Sequence, residues 1–276
     1  MAPTVERSPT IWSRALVTGA SSGIGKAISR ELAARGVDLV LVARNEERMQ
    51  TLADQLAADF HVRTEVLTAD LAERRSRRRV EDRLKADPFI DLLVNNAGAG
   101  RVGPFATADI RREIRQVELN VVAPMALTRV AWDRMLTERR GTVLNVSSLT
   151  ALQPTPHQAT YGATKAFVSS FFEALHEEAR GTPITVTTVM PGFVRTGFKD
   201  HVGVEGAYDR VPDRLWLEPG HVARTALAAA AAGKPVSVPG AGYRILAAVI
   251  DALPRGVKRR LSGFLAQLLA PRSSPR

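Results

Sequence analysis

The chain has 276 residues, 45% of them hydrophobic and 24% charged, a size and balance that suit one soluble globular domain and allow two on length alone. It contains no cysteine, which excludes disulfides and thiolate metal sites, and its five histidines (61, 157, 176, 201 and 221) show no metal-ligand spacing. A net charge of +10 raises nucleic acid or an anionic surface as a partner, but no apolar run approaches the ~20 residues of a membrane span and the N-terminus lacks the apolar stretch of a signal peptide.

Residues 1–10 and 271–276 are rich in Pro, Ser and Arg and are expected to be disordered. Between them, short runs rich in Val and Leu alternate with helical stretches. The runs predict strands over 15–17, 38–42, 65–67, 91–94, 142–146, 185–189 and 236–238. They are apolar nearly throughout, as strands buried on both faces are. Helices are predicted over 24–34, 46–58, 73–85, 109–138, 160–179 and 220–232. This alternation predicts an α/β fold: one doubly wound parallel sheet of about seven strands with helices on both faces, and ligands at the carboxyl ends of the strands. One domain is expected over 11–240, followed by a helical C-terminal extension over 241–276 with a disordered end.

The first chemical signal is Thr18-Gly19-Ala20-Ser21-Ser22-Gly23-Ile24-Gly25, between the first strand and the first helix. Glycines there permit a tight turn, and backbone N–H groups can approach a pyrophosphate at the helix N-terminus. The spacing is GxxxGxG rather than GxGxxG, and such a turn alone could be a plain strand-to-helix loop; its position between the first strand and the first helix favours cofactor binding. The second strand ends at Ala43-Arg44, where NAD-binding chains carry an acidic residue for the ribose 2′-OH. A guanidinium without a carboxylate suits the 2′-phosphate of NADP, although Ser22 stands where a second basic residue would have helped.

Further on, Tyr161 and Lys165 lie four apart on a predicted helix and share a face. A free tyrosine has a pKa of about 10, and a nearby ammonium favours its phenolate. Such a tyrosine can give a proton to a carbonyl oxygen or take one from an alcohol. Ser148, just past the fifth strand, offers a hydroxyl to hold the same oxygen. As an isolated pair, Tyr161 and Lys165 would read as an ordinary surface pair.

Taken in order, TGASSGIG, Asp70-Leu71, Asn95-Asn96-Ala97-Gly98, Asn120, Asn145-Val146-Ser147-Ser148, Tyr161 with Lys165, and Pro191-Gly192 resemble the short-chain dehydrogenase/reductase family over about residues 12–240. The resemblance implies a single Rossmann-like domain, assembled as a homodimer or homotetramer through its long helices. It implies Tyr161 as general acid/base, Lys165 as the residue that holds the nicotinamide ribose and tunes Tyr161, Ser148 as the carbonyl holder, and Asn120 as the organiser of a relay water. For the cofactor it implies Gly19, Ser21, Ser22, Gly23, Ile24 and Gly25 at the phosphates, Arg44 at the 2′-phosphate, and Asp70 with Leu71 at the adenine. Asn96, Ala97 and Gly98 would line it, and Pro191, Gly192, Val194 and Thr196 would meet the carboxamide. Thr164, where serine is frequent, is a mild departure.

The charge is lumpy: Arg74, Arg75, Arg77, Arg78 and Arg79 form one cluster, and Arg255, Lys258, Arg259 and Arg260 another. Without a nucleic-acid motif or stacking aromatics nearby, a solvated basic face is the simpler reading and no nucleic-acid partner is expected. The stretch 193–217 is irregular, and its Phe193, Val194, Phe198, Val202, Val204, Tyr208 and Trp216 read equally as a lipophilic pocket or as local core; Arg195 and Lys199 are its basic residues. In the extension, Leu261, Phe264, Leu265 and Leu268 repeat at helical spacing beside the second basic cluster. Such a helix packs on the domain or a neighbouring subunit, or lies weakly on an anionic membrane surface.

These readings predict an NADP(H)-dependent oxidoreductase acting on CH–OH groups, interconverting a ketone and a secondary alcohol on a lipophilic or acyl-chain substrate, without a metal. The expected location is the cytoplasm, with peripheral membrane contact. A non-catalytic nucleotide-binding or membrane-associated interaction protein on the same fold is the alternative, and it has no need of Asn120, Ser148, Tyr161 and Lys165 together.

Overall fold

The computed structural model describes residues 11–196 and 211–269. Phe198, Lys199, Val202, Val204, Tyr208 and both expected disordered ends lie outside them. The strands are β1 (Arg14–Thr18), β2 (Asp38–Ala43), β3 (Thr64–Thr68), β4 (Leu92–Asn95), β5 (Gly141–Val146), β6 (Ile184–Val189) and β7 (Val236–Ser237). The described helices are α1 (Gly23–Ala34), α2 (Glu46–Phe60), α3 (Arg74–Lys85), α4 (Ile110–Val117), α5 (Ala123–Thr137), α6 (Ala159–Glu178), α7 (Pro219–Ala231), α8 (Ala241–Ala252) and α9 (Arg255–Leu269).

All seven strands pair in parallel in the order β3-β2-β1-β4-β5-β6-β7. The chain reverses direction across the sheet at β1, so the crevice between the carboxyl ends of β1 and β4 is the switch point where such sheets take a ligand. Alternate strand residues enter opposite cores. Ala15, Val17, Leu39, Leu41, Leu92 and Val94 meet Ile28 and Leu32 of α1, Met49 and Leu52 of α2, and Leu227 of α7. Leu16, Val40, Val42, Leu93 and Val143 meet Val80 of α3, Leu127 of α5, and Val168 and Phe172 of α6. Burial of each large aliphatic side chain stabilises the fold by about 1.5–3 kcal/mol, which is why these strands read as continuous apolar runs.

The stretch predicted as one helix over 109–138 is interrupted. Between α4 and α5 lies a π-helical segment, Glu118–Val122, in which the Ala123 N–H bonds to the Glu118 carbonyl five residues back. Pro124 in the first turn of α5 explains it: proline has no N–H to donate, and its ring would meet the carbonyl of residue 120. The arginine cluster also departs from the solvated reading at one position. Arg74, Arg75, Arg78 and Arg79 are exposed, but Arg77 is buried, donating to the Leu71 carbonyl at 3.0 Å and to Glu118 at 3.4 Å.

Packing runs across residue 240. Tyr243 and Ala247 of α8 pack into a cluster with Leu149 and Met190. On α9, Val257, Leu261 and Phe264 are exposed, and the side chains of Leu265 and Leu268 lie outside the description.

Candidate active site

The glycine turn closes on the β1–β4 crevice. Gly19 and Gly23 have φ values of +66° and +54°, where a side chain is disfavoured. A Cβ on Gly25 would lie 2.3 Å from the Gly19 carbonyl oxygen, so only glycine lets α1 start this close to the turn. The Thr18 hydroxyl donates to the Val94 carbonyl at 3.1 Å and accepts from the Asn96 and Ala97 N–H groups at 2.9 and 3.0 Å. Asn96 braces the turn from the other side, its Nδ2 donating to the Thr18 carbonyl at 2.8 Å. Its side chain therefore holds the cradle, while the 96–98 backbone borders the crevice.

Ser22 is the N-cap of α1 and makes no side-chain cap hydrogen bond. The first-turn N–H donors of α1 and its positive dipole end thus remain for an anion, which is what a pyrophosphate requires. Ser21 is half-buried in the same turn, and Ile24 packs on the core beneath it. Thr196 lies against Gly23, its Cγ2 3.0 Å from where a Gly23 Cβ would sit, so the segment after β6 folds back to the turn. Arg44 is exposed at the end of β2. Asp70, after β3, accepts from the Ala72 N–H at 3.0 Å and pairs with Arg115, and Leu71 beside it is buried.

Catalytic candidates converge at the carboxyl ends of β4 and β5. Lys165 is buried, its Nζ donating to the Val146 carbonyl at 2.8 Å and standing 5.8 Å from the Tyr161 ring centroid. Burial pushes its pKa down from 10.5 to about 8. Ser147 and Ser148 part ways. The Ser147 hydroxyl is buried between the Lys165 carbonyl, 3.0 Å away, and Ser169 at 2.8 Å. Ser148 is half-buried and its Oγ accepts only the Thr150 N–H, at 3.2 Å, which leaves its own proton to donate.

Asn120 is held by three hydrogen bonds. Its Oδ1 accepts from the Ala99 N–H at 2.9 Å, and its Nδ2 donates to the Ala99 carbonyl at 2.8 Å and to Thr164 Oγ1 at 3.0 Å. The Thr164 hydroxyl in turn donates to the Tyr161 carbonyl at 2.8 Å. Both amide protons of Asn120 are thereby used, and one Oδ1 lone pair is left. That oxygen and Lys165 Nζ lie 3.4 and 3.5 Å from the point where a Gly98 Cβ would be, so Gly98 keeps the space between them open.

Two features of the site escape local sequence reading. Tyr243 of α8 lies flat against Gly192, where a Cβ would come 2.2 Å from its ring; only the combination of Gly192 with the tail helix hints at it. The second is a cleft reaching Tyr161, walled by Arg101, Phe105, Glu113, His157 and Gln158. Arg101 and the buried Glu113 pair at 3.7 Å, and the Gly103 N–H donates to the His157 carbonyl at 2.8 Å. Among the described residues no cluster of three or more His, Asp or Glu could hold a metal. None of their helices is long and apolar enough to cross a membrane.

A parallel doubly wound sheet with a glycine turn at its switch point, and a Ser–Tyr–Lys–Asn group beside it, defines a dinucleotide-binding oxidoreductase fold. The sequence profile of the short chain dehydrogenases matches residues 13–205, and the chain belongs to that family, with its NAD(P)-binding Rossmann fold. It is 35% identical over 195 residues to a very-long-chain 3-oxoacyl-CoA reductase of Anas platyrhynchos, a match spanning 68% of this chain and 62% of that one. The chain thus spans about three-fifths of that relative's length. Among solved structures it resembles a short-chain dehydrogenase from Sphingobium yanoikuyae in complex with NADPH, with a TM-score of 0.80 and 29% identity over 96% of this chain and 98% of that one. A bulky-bulky ketone specific alcohol dehydrogenase from Comamonas testosteroni superposes with a TM-score of 0.77 at 29% identity, covering 97% and 98%.

Proposed function

We propose that this chain interconverts a lipophilic ketone and its secondary alcohol, with NADP(H) as cofactor and Tyr161 as the proton carrier. The observation that carries the reading is the buried Lys165 ammonium beside the Tyr161 ring, at the carboxyl end of β5 and next to a serine whose hydroxyl proton is available.

The residues present fit a dinucleotide. Uncapped donors at the start of α1, glycines 19, 23 and 25, and the 191–196 segment folding back to Gly23 form its cradle. Arg44 would meet a 2′-phosphate, Asp70 and Leu71 the adenine, and Pro191, Gly192, Val194 and Thr196 the carboxamide. When bound, the cofactor supplies or accepts the hydride. Ser148 donates a hydrogen bond to the substrate oxygen, and Tyr161 passes its phenolic proton to that oxygen or removes it in reverse. Lys165 favours the phenolate by its charge. Asn120 offers its remaining Oδ1 lone pair to a water that refills the proton through Lys165.

The substrate class rests on Phe193 and Trp216, whose ring centroids lie 5.6 Å apart, and on likeness to the very-long-chain 3-oxoacyl-CoA reductase of Anas platyrhynchos and the bulky-bulky ketone specific alcohol dehydrogenase of Comamonas testosteroni. A panel of aryl and acyl ketones, assayed with NADPH and NADH in parallel, tests the reading. Turnover with NADPH is expected, and Tyr161→Phe should lower it by about 100-fold or more while leaving NADPH binding nearly intact. Substantial activity in the variant, or a preference for NADH, contradicts it.

Two surfaces bear on partners and location. Ile110, Ile114 and Val117 on α4, with Met125 on α5 and Phe167 on α6, are exposed apolar residues suited to homodimer or homotetramer formation. Ile245, Leu246 and Val249 on α8 and Val257, Leu261 and Phe264 on α9 are exposed beside Arg255, Arg259 and Arg260, a pattern suited to peripheral contact of a cytoplasmic protein with an anionic membrane. Light scattering and vesicle sedimentation test these.

A further inference from the structure

The loop after β6 and the segment that returns at 215–217 are stitched together. The Leu217 N–H donates to the Phe193 carbonyl at 2.8 Å, the Arg195 N–H to the Leu217 carbonyl at 2.9 Å, and Val194 and Leu217 form a parallel bridge. Tyr243 joins both from a third direction. Its hydroxyl donates to the Leu215 carbonyl at 2.5 Å and accepts from the Phe193 N–H at 3.2 Å. Its ring lies on Gly192, and the start of α8 is fixed by Gly240, where φ is +88° and a Cβ would come within 3.3 Å of Leu217.

The same ring belongs to a buried cluster with Leu149, the neighbour of Ser148, and Met190. Phe193 and Leu217 pack on that cluster, and Trp216 touches Phe193 while its indole N–H donates to the Val211 carbonyl at 3.3 Å. One phenol hydroxyl therefore ties together, beside their own backbone bonds, the two segments that carry Phe193 and Trp216. It does so from a helix that the doubly wound sheet itself does not require.

We propose that Tyr243 is a positioning residue for substrate choice: through its paired hydrogen bonds to Phe193 and Leu215 it sets the apolar wall that Phe193 and Trp216 form over the Leu149–Met190 cluster. The proposal rests on the ketone–alcohol reading of the site. It makes the first turn of α8 part of the specificity machinery, and the substrate it favours is a ketone with a bulky apolar group against that wall. Tyr243 touches neither substrate nor cofactor in this scheme.

Tyr243→Phe keeps the ring on Gly192 and removes both hydrogen bonds. Peptide-level hydrogen–deuterium exchange reads the link without any turnover. Segments 190–196 and 213–218 are expected to exchange about three- to tenfold faster, the range that loss of a hydrogen bond allows. In kinetics, KM for a bulky aryl ketone should rise by a similar factor while kcat on a small ketone and the NADPH Kd stay within about twofold. Unchanged exchange in both segments overturns the link. Faster exchange with an equal rise in KM for small and bulky ketones overturns the specificity role and leaves Tyr243 a purely structural residue. A wild-type chain that turns over no ketone is a failure of the activity reading instead, and exchange alone then decides whether Tyr243 couples the two segments.

Discussion

Thr164→Val isolates one hydroxyl at the centre of the site. Thr164 is buried at 3% exposure and Asn120 at 2%, so neither lost bond can be replaced by bulk water. Valine matches threonine in shape but accepts nothing from Asn120 Nδ2, which now donates to Thr164 at 3.0 Å. A buried donor left without a partner costs about 1–3 kcal/mol. In a domain of this size that lowers Tm by roughly 3–10 °C. The functional loss is separate. The amide is held by Ala99 on one side and Thr164 on the other. Without the second hold it can turn toward another partner, and the free Oδ1 lone pair leaves the space beside Lys165. A misplaced relay group is expected to reduce kcat by about ten- to a hundredfold. Thr164→Ser is the control: it keeps the hydroxyl and loses one methyl, worth about 0.8 kcal/mol. Thermal denaturation and steady-state kinetics on the two variants decide it. If valine and serine behave alike in both assays, the hydroxyl does not position Asn120 and the argument fails.

Lys165 predicts a pH dependence with a definite sign. Burial lowers its pKa to about 8, so the folded chain gives up this proton before the unfolded chain does, and stability should rise between about pH 8 and 10.5 by up to ~3 kcal/mol. Lys165→Met should abolish that rise in urea titrations across the interval; equal slopes in both proteins would refute it. For the surfaces, light scattering should return a mass of two or four chains, and the full chain should sediment with phosphatidylglycerol vesicles more than with neutral ones. A single-chain mass sinks the self-association reading, and equal partitioning sinks the membrane one.

What the sequence made legible was local. Gly19, Gly23 and Gly25 are dictated by close contacts within the turn and with Asn96, Ala97 and Thr196, and it is their position between the first strand and the first helix that points to a cradle. Tyr161 and Lys165 share a helical face by arithmetic, and Ser148 follows its strand at once. The apolar strands could be counted because both their faces are buried. The π segment at Asn120 also had a local cause in Pro124, although a smooth apolar period over 109–138 conceals it.

The rest depends on partners far apart in the chain. Arg77 lies within an arginine run; Glu81 one turn on is a legible partner, but Glu118, forty-one residues away, is not. Asp70 is paired with Arg115, forty-five residues on, which nothing in its neighbourhood announces. Tyr243 is one tyrosine in a helix beyond the last strand, and it acquires meaning only when Gly192, fifty-one residues earlier, lacks a side chain to keep it away. The same distinction separates the two tasks of the site. The glycine turn and the Tyr161–Lys165 pair, proposed to hold phosphate and move a proton, are each written in short spacings. The proposed substrate wall draws on the loop after β6, the segment at 215–217 and α8, none of which constrains the others in sequence. If Tyr243 has the proposed role, substrate preference should change on altering one long-range contact, Tyr243 to Phe193, while the residues proposed to move the proton stay as they are.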